Sequence, residues 1–413
     1  MRSMNRRNFL KTSAVAGVAI GLSSPYVRAQ SATTINMMGW SSPKLKEIFK
    51  RAGKEAGVAI NYDVMPTKWN DVMQKITLWG QTGYSGIDLM MADDLISGLW
   101  GMNGWAEDLS GTDAWTKNSG DTVDNVTVLN NAVGGVYRSF FMVGLEPFFF
   151  NKSMVAKAPT TWEEMVAAAK SATKDRVCGW RPLGGEGHAF NTVLLTLNQA
   201  GADLATLGDP ATLSALQFMY DWVHTDKITP PSTVSEDSSA VDALAAAGKA
   251  AMWWSYEDSY NTIVGLDNTV VTKDNLGVAR WPKGPSSDVG LVHGWGFLLS
   301  KFSQKKDAAK ELLTWLSSKD IIREIAIATS VAPPYKSLFD DPQLVKTLPI
   351  LTAGPGWADM IRGAKFREPI VSNPAVTQLW SMFDHLGSYV LSGEKSPEDA
   401  QAWAVEEYKS IRG

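Results

Sequence analysis

Between residues 33 and 94 the sequence switches between two periodicities, and no other feature restricts the fold as tightly. Thr33 to Met38 (TTINMM) reads as a short strand that ends at Gly39-Trp40. Ser42-Pro43 opens a helix with Leu45, Ile48 and Phe49 at helical spacing. A second strand over Ala59 to Val64, a helix over Trp69 to Trp79 and a third strand over Ile87 to Met91 complete a β-α-β-α-β order. It closes at Ala92-Asp93-Asp94. Strands joined in this way run parallel with right-handed crossovers, so the fold class is α/β. In such sheets ligands gather beyond the carboxyl ends of the strands, where Trp40, Asp93 and Asp94 fall.

The rest of the chain continues the alternation. Tyr137 to Phe150 is a long extended run, and Pro159 stops what precedes it. Thr161-x-x-Glu164 is a capping box for a helix reaching about Lys174. Val177 to Trp180 is a strand, Gly184 to Gly187 a loop, and His188 starts a helix that ends at Gly201. Further helices are expected over 213–224, 240–248, 305–317, 374–391 and 397–411, and further strands over 250–254, 276–281 and 295–300. With no internal repeat and no low-complexity linker, the pattern implies two α/β halves joined by several chain crossings.

The first 29 residues read as an export leader. Arg2, Arg6, Arg7 and Lys11 precede a weakly apolar run, Ala14 to Leu22, and Val27-Arg28-Ala29 offers a cut after Ala29. The run is shorter than the ~20 residues a spanning helix needs. Arg-Arg-x-Phe-Leu-Lys is similar to the bacterial twin-arginine signal, with Asn5 where that pattern usually has Ser or Thr. A Sec leader, an uncleaved anchor and a basic cytosolic tail are the alternatives. The chain carries a formal charge of −4, and the portion beyond the basic leader is more acidic still. That argues against nucleic acid and anionic membranes as partners. One cysteine, Cys178, allows no disulfide within the chain and reads as a small buried hydrophobe rather than a catalytic thiol. Seventeen tryptophans are many for this length. Trp40, Trp180, Trp254, Trp295 and Trp357 fall at expected loops or strand ends, which suggests a ligand with apolar faces and polar edges.

Six segments carry a resemblance. GLEPFFFNKSMV, APTTWEEMVAAAK, AAAGKAAMWW, LGVARWPKGP, HGWGFLLSK and KKDAAKELLTWLSSKD occur in the order seen in the extracellular solute-binding proteins of bacterial ABC importers. In particular, the chain resembles their large carbohydrate-binding family. The resemblance implies a two-lobe periplasmic-binding-protein fold of type II, with a ligand cleft between lobes that close by a hinge. It implies a first lobe of residues 31–143 plus 272–318 and a second of 144–271 plus 319–413. It also implies a periplasmic location, a carbohydrate or polyol ligand, an inner-membrane ABC permease as partner, a monomer, and no cofactor or metal.

A sugar has hydroxyls at its rim and C–H groups on its faces, so a site stacks aromatics on the faces and aims polar groups at the rim. Trp40, Asp93 and Asp94 are such candidates, with helix N-caps as the bland alternative for the two acids. Glu146 shares strand parity with Gly144, where the family has a ligand carboxylate; an interlobe salt bridge is its other reading. Trp180, Trp254 and Glu257 are further candidates, although Tyr256-Glu257-Asp258 departs from the family's Gly-x-Trp. His293-Gly294-Trp295 matches the family's Gly-Gly segment with His293 in place of the first Gly, and Trp295 is either a stacking or a core residue. Arg367 is a hydroxyl ligand or a surface ion pair, and Trp380 falls where the family places a stacking Trp. The loop Gly184 to His188 offers N–H groups to a phosphate. An enzyme finds little support: the four histidines are scattered, and no GxGxxG, GxxxxGK[ST] or GxSxG appears. Asp93 and Glu257 are the one pair a glycosidase reading offers. A non-sugar ligand, such as a phosphodiester, a polyamine or an amino-acid derivative, is the alternative within the same fold.

Overall fold

A computed structural model describes residues 33–412. The expected cut after Ala29 lies outside the described residues. Among the described residues nine strands form two sheets. The first has the order β2-β1-β3-β9-β4, where β1 is Thr34–Gly39, β2 Ala59–Val64, β3 Leu89–Ala92, β4 Ser139–Leu145 and β9 Val292–Leu299. β1 pairs in parallel with β2 and β3, as the β-α-β-α-β pattern requires, and β9 runs antiparallel between β3 and β4. The second sheet has the order β6-β7-β5-β8, with β5 Phe148–Asn151, β6 Cys178–Arg181, β7 Ala250–Trp254 and β8 Leu276–Ala279. Among the described residues no helix is long and apolar enough to cross a membrane.

The long extended run splits at Glu146-Pro147, so β4 joins the first sheet and β5 the second. Two assignments to the lobes are corrected. Leu276–Ala279 was expected in the first lobe but pairs antiparallel with β5. Without β8, the strand Phe148-Phe149-Phe150 would be an open apolar edge, and the Phe150 ring lies where a Cβ on Gly277 would stand. The chain returns to the first sheet only at Val292. Similarly, helix Lys319–Thr329, expected in the second lobe, packs on helix Pro43–Glu55 and on β4, using a stripe of Ile321, Ile322 and Ile325. Tyr335 also stays with the first half, its hydroxyl donating to the Ser317 carbonyl at 2.7 Å.

The capping box forms with an offset. The Thr161 hydroxyl accepts from the Glu164 N–H, and the Glu164 carboxylate accepts from Thr160 N–H, one residue before the cap.

Candidate functional site

A cavity of about 980 Å³ opens where the carboxyl ends of the first sheet face the second half. Its wall is assembled from strand ends. β1 ends at Gly39, which a side chain would drive into Met91, and Trp40 comes next, half-buried. The Tyr62 hydroxyl donates to the Trp40 carbonyl at 2.7 Å and holds that turn. Trp40 meets Trp295 of β9 edge-on, with ring centroids 4.8 Å apart, and Trp295 meets Trp69 at 6.1 Å. The three half-buried indoles make one aromatic wall.

A charged cluster stands beside it. Asp93 caps helix Asp94–Met102 through Oδ1, which accepts from Ile96 N–H at 2.8 Å, and turns Oδ2 toward Arg367 at 3.5 Å. The N-cap reading of this residue therefore holds, and its second oxygen is turned to an ion pair. Arg367 is 4% exposed and serves four partners. Nε donates to Asn191 at 2.9 Å, Nη1 faces Asp93 and Asp94, and Nη2 donates to Glu146 at 3.2 Å. The expectation of a surface ion pair is thus replaced by a buried one. Asp94 also accepts from Gly294 N–H at 3.2 Å, and Arg138 donates to the Gly294 carbonyl at 2.7 Å. Burial, then the Asp94 charge, pushes Asp93 up to about 7 against the pull of Arg367. Glu146 is likewise pushed up to about 7 by burial, and Arg367 opposes this.

Opposite, the turn after β7 places Tyr256 and Glu257 in the wall. The Tyr256 hydroxyl sits 3.0 Å from His188 Nδ1 and accepts from the Asn191 amide at 3.3 Å. Glu257 is fully buried, and its carboxyl is held well above the usual carboxylate range by burial and by Asp258. His293, also buried, is held neutral by burial and by the nearby guanidiniums. A Cβ on Gly144 would lie 2.5 Å from His293 Nε2 and 2.6 Å from the Glu257 oxygens. The missing side chain makes that room.

Of the residues singled out in the sequence, Trp40, Asp93, Glu257, His293, Trp295 and Arg367 line the cavity. Asp94 and Glu146 stand one layer behind, paired with Arg367, and Gly294 stands with them, donating its N–H to Asp94. Trp180, Trp254 and Trp380 are not in the wall. Trp180 stacks on Phe148 at 5.6 Å inside the second half, and Trp254 donates its N–H to Thr192 at 3.1 Å. β5, β6 and β7 are buried at every position, so a Trp at a strand end finds core on either face of that sheet. Trp380 is buried behind Gly187 and Phe190, and Trp357 is fully buried as well. The suggested anion site is already filled: Gly187 N–H and Phe190 N–H donate to the Asp384 carboxylate at 2.9 and 3.2 Å. Sequence reasoning missed Trp69 and Arg138. Trp69 comes after β2 at a helix start, the same position relative to its strand that singled out Trp40. Arg138 heading an apolar run was the available sign of a buried charge.

Comparison with known proteins agrees with this architecture. Residues 47–353 match the family described as bacterial extracellular solute-binding protein, and residues 3–23 match the twin-arginine translocation signal. Maltose-bound MalE3 of T. maritima superposes with a TM-score of 0.78 at 21% identity, covering 92% of this chain and 100% of that one. A ribitol complex of a solute-binding protein from Agrobacterium radiobacter gives 0.79 at 21%, covering 92% and 98%. A D-mannitol complex from Agrobacterium vitis gives 0.74 at 21%, with the same coverage. Two curated relatives match over shorter stretches. One is a Sinorhizobium fredii periplasmic-binding protein named for amino-acid ABC transport, 23% identical over 46% of this chain. The other is the galactooligosaccharide-binding protein of Bacillus subtilis, 24% identical over 45%. The match spans less than half the length of each relative, 44% and 41%. Two α/β halves around one cavity, a family match over most of the chain and a twin-arginine signal lead to one conclusion: the chain belongs to the bacterial extracellular solute-binding proteins and is exported to the periplasm.

Proposed function

We propose that this protein is the substrate-binding component of an ABC importer, taking a carbohydrate or polyol into the cavity and delivering it, unaltered, to an inner-membrane permease. The observation that carries this reading is the aromatic wall of Trp40, Trp69 and Trp295 set beside Asp93, Glu257 and Arg367. Indole faces suit the C–H faces of a sugar, and the charged groups suit its hydroxyls. Maltose, ribitol and mannitol in the similar structures support the ligand class. The ligand contacts are Trp40, Asp93, Glu257, His293, Trp295 and Arg367. The protein acts as a monomer and closes by a hinge at Glu146-Pro147 and in the segment between β8 and β9.

Thermal melting with mono-, di- and oligosaccharides, polyols and sugar phosphates tests the reading. A true ligand at a hundredfold its Kd adds roughly 2.7 kcal/mol, a shift of several degrees. Trp295→Ala removes that shift. Turnover of a sugar, or no shift with any carbohydrate or polyol, overturns the proposal.

A further inference from the structure

The cavity is lined and backed by more acidic than basic side chains, and one of its carboxyl groups has nothing to bond. Asp93, Asp94, Glu146, Glu257 and Asp258 lie in the wall or directly behind it, against three cations: Lys68 in the wall and the guanidiniums of Arg138 and Arg367. Arg367 is fully engaged by Asn191, Asp93, Asp94 and Glu146. Arg138 donates to the Gly294 carbonyl and lies over the Phe140 ring, 4.2 Å from its centroid. Neither guanidinium pairs with Glu257. That side chain is 1% exposed, and neither of its oxygens accepts a hydrogen bond. The backbone amides of Glu257 and Leu145 favour its ionised form without reaching hydrogen-bond geometry. The nearest basic atom, His293 Nε2, is 3.6 Å away on a neutral ring.

A buried carboxyl with no partner keeps its proton, and it becomes a carboxylate only when a cation arrives beside it. Building on the carbohydrate-or-polyol reading, we infer that the ligand carries a cationic amine, as an amino sugar or amino polyol does, and that its ammonium pairs with Glu257 beside the indoles of Trp40, Trp69 and Trp295. The negative faces of those rings add to the attraction for a cation. A metal ion fits less well: among the described residues no three His, Cys, Asp or Glu side chains are grouped to hold one.

Isothermal titration of the folded protein tests this with a panel in which each neutral sugar or polyol is matched by its amino analogue. D-Glucosamine against D-glucose and 1-amino-1-deoxy-D-glucitol against D-glucitol are two such pairs. The amine of the binding pair is expected to bind at least tenfold tighter at neutral pH. E257Q brings that ratio close to one, and E257D keeps part of it. E257Q puts a neutral side chain of the same shape in place of a protonated acid, so its melting temperature stays close to that of the parent. An amine no tighter than its hydroxyl counterpart overturns the inference and leaves the carbohydrate reading standing. A tenfold ratio that survives in E257Q overturns the role of Glu257. Silence across the whole panel overturns both readings together.

Discussion

Arg367 shows how much one guanidinium can organise. Its partners come from residues 93, 94, 146 and 191, and only the fold brings them within reach. The acids around it make apo stability depend on pH, with a definite sign. Glu146 and Asp93 rise from ordinary values of 4.5 and 3.8 to about 7 in the folded chain. The folded state therefore binds more protons than the unfolded one across that window. Their contribution is complete below about pH 4 and is lost as pH rises through 7. His188 runs the other way: its folded value falls from 6.5 to about 4, so its contribution grows as pH rises and is complete above 6.5. A net decline is thus expected between pH 6.5 and 8. Urea unfolding at stepped pH measures it, and Glu146→Gln makes the decline shallower. Arg367 and Glu257 were visible in the sequence as residue types near expected turns. That one is saturated with partners and the other has none is a three-dimensional fact no local pattern carries.

Helix Ala189–Ala200 owes its start to a side chain nearly two hundred residues away. Asp384 accepts from Gly187 and Phe190, and no side chain of the helix's own entry segment caps it. Asp384→Ala leaves those donors buried and lowers stability by about 1 kcal/mol, within the usual range for a lost cap. The loss is read from the urea midpoint and from faster amide exchange in that helix. At this scale the sequence is most readable where signals are local. β1, β2 and helix Lys306–Leu316 begin and end within a residue of expectation, because turn residues and apolar spacing mark both ends. β8 was recognised as a strand and given to the wrong half, since its partner β5 lies over a hundred residues earlier. The same limit explains Trp180 and Trp254. Position at a strand end was legible, but which layer lies across from it was not.

For the whole molecule, the cavity is bounded by contacts between the halves. Asn70, on the helix after β2, donates to the Glu186 carboxylate at the rim, and a Cβ on Gly187 would lie 3.8 Å from Trp69. If the halves open and close around ligand, this bond favours the closed state. Asn70→Ala is then expected to speed ligand release several-fold with little change in association, as most interface changes do. Stopped-flow tryptophan fluorescence reads both rates; a change confined to association would sink the idea. The position of Arg367 along the chain has a consequence for synthesis. On the ribosome, Asp93, Asp94 and Glu146 emerge more than two hundred residues before the cation that pairs with them. Domains otherwise tend to form in order of appearance. Here the first sheet has its strands by residue 299, with Arg138 near Asp93 and Asp94, yet lacks the guanidinium that bridges those acids to Glu146. A chain stopped short of residue 367 would hold these acids against Arg138 alone, so the finished cavity is a late event in the life of each molecule.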